Sequence, residues 1–193
     1  MTALDERQAS LPARPHTGTT VWLTGLPSAG KTTLATALAA DLRADGVERV
    51  ELLDGDEVRE FLSKGLGFSR EDRDTNVLRI GWVAATLAQH GVLVLASVIS
   101  PYAETRAGVR SLHEGKGARF LEVHVATPVE VCSERDVKGL YAKQRSGELT
   151  GLTGVDAPYE PPPTPAAVIR THEQELAESV AELRALLAAE GVL

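Results

Sequence analysis

Eight consecutive residues, Gly25-Leu26-Pro27-Ser28-Ala29-Gly30-Lys31-Thr32, fit the spacing G-x-x-x-x-G-K-[ST]. The two glycines permit backbone angles and close approaches that a Cβ would block. The loop's N–H groups can then turn inward on phosphate oxygens, at the positive end of a following helix. Lys31 brings a point charge to the β- and γ-phosphates, and Thr32 offers a hydroxyl to Mg²⁺. The plain structural alternative is a Gly-rich strand–helix turn, which has no need of a Lys-Thr pair.

A second constellation follows. Asp54 and Asp56 flank Gly55 at the end of an apolar run. Two carboxylates there can hold Mg²⁺, and one can orient or deprotonate an attacking hydroxyl. The alternative is an Asp-Gly turn in which Asp56 caps a helix. Arg59, Lys64, Arg70, Arg73 and Arg79 come next, with Phe68 and Asn76 among them. A charge run is usually a solvated face. This chain is acidic, however, so clustered arginine needs a local reason. Phe68 can stack on a flat ring, and the Asn76 amide both donates and accepts. Arginine for phosphate or sulfate plus an aromatic for a base describes a nucleotide acceptor.

Strands must alternate with helices to present these residues. Thr19–Thr24 is a short β-rich run, followed after the loop by Lys31–Ala44, where Leu34, Leu38 and Leu42 recur at helical spacing. Val50–Leu53, Val92–Ser97 and Phe120–Ala126 read as further strands, and Asp72–His90 and Gln174–Ala189 as helices. Thr127-Pro128 reads as the N-cap and first residue of another helix. Strands apolar on both faces predict a mainly parallel sheet between helix layers, the α/β class. Asp136–Tyr159 lacks periodicity and is expected to be mobile. Pro158–Pro165 holds five prolines and cannot be a helix or central strand.

The 193 residues predict one domain over 19–193, preceded by a loose lead-in over 1–18. Apolar residues make up 43% and charged residues 24%, an ordinary globular balance. A net charge of −7 argues against broad nucleic-acid binding. No stretch approaches the ~18 apolar residues of a membrane span. The single cysteine, Cys132, precludes an intrachain disulfide and reads as a small buried apolar residue. A cytoplasmic location is expected. The five histidines lack metal-ligand spacing.

The stretch LDGDEVREFLSKGLGFSREDRDTNVLR (Leu53–Arg79), with Ile99-Ser100-Pro101-Tyr102, Lys138-Gly139-Leu140-Tyr141 and GLTGVDAPY (Gly151–Tyr159), resembles the adenylylsulfate kinase (APS kinase) family of P-loop kinases. The similarity runs over roughly residues 19 to 190, with the motifs in order. It implies a three-layer α/β/α P-loop NTPase fold with a mobile lid over about 136–159. It also implies phosphorylation by ATP of the 3′-hydroxyl of adenosine 5′-phosphosulfate (APS), giving 3′-phosphoadenosine 5′-phosphosulfate (PAPS). Mg²⁺ is the implied cofactor, a homodimer the implied assembly and ATP sulfurylase a pathway neighbour.

By position the resemblance assigns ATP to Gly25, Leu26, Pro27, Ser28, Ala29, Gly30, Lys31, Thr32 and Thr33, and the metal to Thr32 and Asp54. Asp56 becomes the activating base. Arg59, Phe68, Arg73, Asn76, Ile99, Ser100, Lys138, Leu140 and Leu152 become acceptor-side residues. Lys138 and Lys143 fall in the lid, where a cation can cover the transferring phosphate and help exclude water. Relatives attach a phosphoserine to the position of Ser100, although direct in-line transfer needs no covalent step. Leu152 stands where the family usually has Phe, Val98 likewise, and Val137 replaces Pro. These changes soften the acceptor pocket. A kinase for another small acceptor, or a non-catalytic nucleotide-binding subunit, would share the loop.

Overall fold

The structure, a computed structural model, describes residues 18–193. The expected lead-in lies outside the described residues apart from Gly18, as does His16. Strand β1 (Thr19–Thr24) is buried along its whole length. Val21 and Leu23 pack into one core cluster and Trp22 into another, because alternate side chains leave opposite faces of a strand. β1 pairs with β3 (Leu93–Ser97) on one side and β4 (Arg119–Val125) on the other. β2 (Val50–Asp54) pairs with β3, and the short β5 (Ala167–Ile169) with β4. Every pairing is parallel, in the order β2-β3-β1-β4-β5. The C-terminal ends of the strands therefore share one edge, where open α/β sheets bind ligands.

On one face, α1 (Lys31–Ala44) and α7 (Leu176–Ala189) bury Leu34, Leu38, Leu42, Leu183 and Leu187 against the sheet. On the other, α3 (Arg70–Gln89) and α4 (Ala103–Gly115) place Val77, Ile80 and Val109 against Trp22 and Phe120. This is the three-layer α/β/α arrangement expected. The short helices α2 (Gly55–Phe61), α5 (Val129–Arg135) and α6 (Leu140–Arg145) follow β2, β4 and α5 respectively.

Two cap assignments change. Asp54, not Asp56, caps α2: its Oδ1 accepts from the Asp56 N–H at 2.9 Å, which leaves the Asp56 carboxylate free of that duty. Thr127 does not cap α5, which starts at Val129 with Pro128 before it. Its hydroxyl donates instead to the Ala29 carbonyl at 3.0 Å. The segment Asp136–Tyr159 holds a short helix and core residues that its composition does not signal. The Asp136 carboxylate accepts from the N–H groups of Tyr141 and Ala142, starting α6. Tyr141 and Leu152 are both buried in the main core cluster. Pro158–Pro165 contains neither helix nor strand.

Candidate active site

The phosphate loop joins β1 to α1, and its shape needs both glycines. A Cβ on Gly25, at φ 155°, would lie 2.5 Å from the Val125 carbonyl oxygen. Gly30 sits at φ 100°, in the left-handed region that side chains resist. The Lys31 ammonium donates to the carbonyls of Gly25 and Leu26 at 3.0 and 2.8 Å. Burial lowers its pKa from 10.5 to about 8, since desolvation disfavours the charged form. Thr32 Oγ1 donates to Asp54 Oδ2 at 2.6 Å, so the two residues assigned to the metal touch.

Sequence reasoning missed the brace behind this loop. The Ala29 carbonyl accepts from Thr127 Oγ1, from Thr171 Oγ1 at 2.8 Å and from Arg135 Nη1 at 3.4 Å. In a planar trans peptide, holding that oxygen outward turns the Gly30 N–H the opposite way. A run of three lone polar residues far apart in sequence carries no local signal of this kind. Tyr141 adds a bond from its hydroxyl to the Pro27 carbonyl at 3.0 Å. Cys132 is buried, and burial pushes its thiol pKa up, so it stays a protonated packing group.

A cleft of about 440 Å³ runs from the loop to the acceptor constellation. Pro27, Ser28, Gly30, Lys31, Thr32 and Thr33 line its donor end. Asp56, Arg59, Phe68, Arg73, Asn76, Ile99 and Ser100 line the other, with Lys138 and Leu140 from the 136–159 segment. Gly25, Leu26, Ala29, Asp54 and Leu152 do not line it. The first three carry the loop from behind, and Asp54 reaches it through Thr32.

Leu152 departs furthest from its expected place. Arg73 donates to the Gly151 carbonyl and to Thr153 Oγ1, both at 2.5 Å. With its neighbours turned to Arg73, Leu152 is buried at 5% exposure in the main core cluster, with Leu26 packed against that cluster. It does not face Phe68 across the cleft.

Phe68 is 64% exposed, with Arg59 and Arg73 at 4.4 and 5.9 Å from its ring centroid. Burial, and then the Arg73 charge, lower the Arg59 pKa. Two guanidiniums so placed favour an anion between them. Asn76 is buried, and its Oδ1 has no hydrogen-bond partner. Asp56 pairs with Lys138. Lys143 lies on the exposed face of α6, outside the cleft. Ser100 is 1% exposed at φ 41°; its hydroxyl accepts from the Trp22 indole N–H at 3.0 Å and donates to Thr24 Oγ1 at 2.9 Å.

Residues 17–170 match the family model for adenylylsulphate kinase. The chain belongs to the adenylylsulphate kinase family. It is accordingly a kinase that transfers a phosphoryl group to a hydroxyl acceptor. A probable adenylyl-sulfate kinase of Synechocystis is 57% identical over 166 residues, covering 86% of this chain and 91% of that protein. The Mycobacterium tuberculosis APS kinase CysC, solved with AMPPNP and APS, superposes with a TM-score of 0.86 at 42% identity. That match covers 90% of this chain and 99% of the other. A hexameric APS kinase of Thiobacillus denitrificans gives a TM-score of 0.71 at 37% identity, over 95% of this chain and 31% of that one. The adenylylsulphate kinase fold and its P-loop are thus common to the set.

Proposed function

We propose that the two ends of this cleft phosphorylate the 3′-hydroxyl of APS with ATP, giving PAPS and ADP. The observation that carries this reading is the continuity of one cleft. The phosphate loop lies at one end, and a guanidinium-flanked aromatic with the unpartnered Asn76 Oδ1 at the other. ATP lies along residues 25–33. The APS adenine rests on Phe68, with Arg59 and Arg73 taking its phosphosulfate and Asn76 its polar edge.

In the step itself, the 3′-oxygen bonds to the γ-phosphorus as the bond to the β–γ bridging oxygen breaks. The proton passes to Asp56, and ADP leaves. Lys31 balances charge on the phosphates, and Lys138 leaves Asp56 for the transferring group. Thr32 and Asp54 present hard oxygens that suit Mg²⁺, which keeps most of its waters and borrows few protein ligands. Among the described residues no cluster of three or more His, Cys, Asp or Glu competes for it. When bound, the ion neutralises charge on the β- and γ-phosphates. Ser100 stays a structural hydroxyl throughout, since its bonds to Trp22, Thr24 and the Val98 carbonyl are all within the protein.

The chain works as a homodimer in the cytoplasm, downstream of an ATP sulfurylase-type reaction that joins sulfate to an adenylyl group. Exposed Phe61, Leu62, Leu78 and Trp82 support self-association. No described helix is long and apolar enough to cross a membrane. The test is APS-dependent ADP release with Mg²⁺. Release with another small acceptor, and none with APS, overturns the reading.

A further inference from the structure

Arg106 is 1% exposed and does not line the cleft. Its guanidinium reaches three separate parts of the chain. Nε donates to Glu122 Oε1 on β4 at 2.5 Å, Nη1 to the Ser100 carbonyl at 2.7 Å and Nη2 to the Glu160 carbonyl at 2.7 Å. Glu122 supplies the counter-charge that a buried cation requires, and shares it with Arg110 at 3.3 Å. The other two bonds have no part in charge balance. They tie the loop after β3, which lines the acceptor end of the cleft, to the C-terminal foot of the 136–159 segment.

That junction is reinforced. The Glu160 N–H donates to the Pro101 carbonyl at 2.8 Å, and its carboxylate accepts from the Ala103 N–H at 2.7 Å. The Tyr159 hydroxyl lies 3.1 Å from Thr24 Oγ1, which donates to the Ile99 carbonyl at 2.7 Å. Ser100, a non-glycine at positive φ in this junction, needs an external hold.

We propose that Arg106 is a positioning residue that locks the acceptor loop and the foot of the lid into one unit. Seating of the acceptor and closure of the lid are then set together. This inference rests on the reading of the cleft given above. A planar fork can serve three acceptors in fixed directions, whereas a lysine ammonium is a single point at the end of a flexible stem.

Arg106→Lys and Glu160→Ala in the full chain test it. The acceptor KM should rise about tenfold in the first and about threefold in the second, with the ATP KM within about twofold of wild type. Without substrates, amide hydrogen exchange should quicken together in 98–103 and 151–160 and stay unchanged in 25–33. An equal rise in both KM values, or faster exchange in one segment alone, overturns the coupling. Glu160→Ala removes only the carboxylate's bond to the Ala103 N–H and keeps the carbonyl that Arg106 holds, so it reads the strength of the junction. If Arg106→Lys fails to fold, Arg106→Gln in the full chain takes its place, with the same exchange pattern expected and faster exchange in one segment alone overturning the coupling. A wild-type chain inactive toward APS overturns the functional reading instead, and the exchange measurement still judges the clamp.

Discussion

Lys31 holds its charge in an unfavourable place. Burial brings its pKa from 10.5 down to about 8, and bound phosphates must pull it back up. ATP affinity should therefore be highest below pH 8. It should weaken by about tenfold per pH unit at the steepest above it, with proton uptake on binding. Calorimetry in two buffers of different ionisation heat reads that uptake, and Lys31→Arg should abolish it. The unliganded fold shows the opposite trend. Between about pH 8 and 10.5 the unfolded chain holds a proton the folded one lacks, so stability rises with pH across that window. For Asp56→Asn, kcat should fall roughly 10²-fold while the ATP Kd stays near wild type. Equal loss in both would remove Asp56 from the chemistry. Leu152→Ala should cost about 3 kcal/mol in urea unfolding, the effect of a truncated core leucine.

At the scale of elements, legibility followed hydrophobic pattern. β1 and α1 lie at Thr19–Thr24 and Lys31–Ala44, where an apolar run, a glycine loop and a leucine repeat predict them. α4 is invisible to that logic, because its buried face is Thr105, Arg106, Val109 and His113, with one aliphatic among them. β5 has three residues beyond a proline-rich stretch, too few for any period. The lining of the cleft was legible where a single residue type drew attention by itself, as with Lys31, Phe68 and Arg73, which all reach it. Leu152 was not, since its direction depends on what Arg73 does to its neighbours. The polar face of α4 has a measurable cost. His113 donates from Nδ1 to the Val109 carbonyl and accepts from Thr20 Oγ1 at Nε2, a neutral tautomer with both nitrogens used. Burial lowers its pKa, as it does for His124. Both therefore favour the fold above the ordinary histidine value, about 6.5, and cost stability as pH falls below it. Melting temperature should drop from pH 6.5 to 5, and His113→Gln should flatten part of that slope.

Across the whole molecule, charge is uneven. The chain carries −7, yet Arg59 and Arg73 converge on one end of the cleft. An anionic acceptor meets long-range repulsion and short-range attraction. Salt with a Debye length of about 8 Å screens the first before the second, but both weaken. The close pair dominates at contact, so acceptor KM should rise with added KCl. A fall instead would give the global charge the larger part. The sheet order separates the two chemistries, with β1 and β4 behind the donor loop and β2 and β3 leading to the acceptor side.

The bond from Trp22 to Ser100 gives the molecule an optical reporter of its own. The protein has two tryptophans, Trp22 fully buried and Trp82 55% exposed. With Trp82 replaced by Phe, all indole emission comes from a ring whose N–H rests on the acceptor loop. Any shift of that loop on seating the acceptor changes the field at the indole, and with it the colour and intensity of the emitted light. Acceptor binding can then be followed in stopped flow without a dye, separately from phosphoryl transfer.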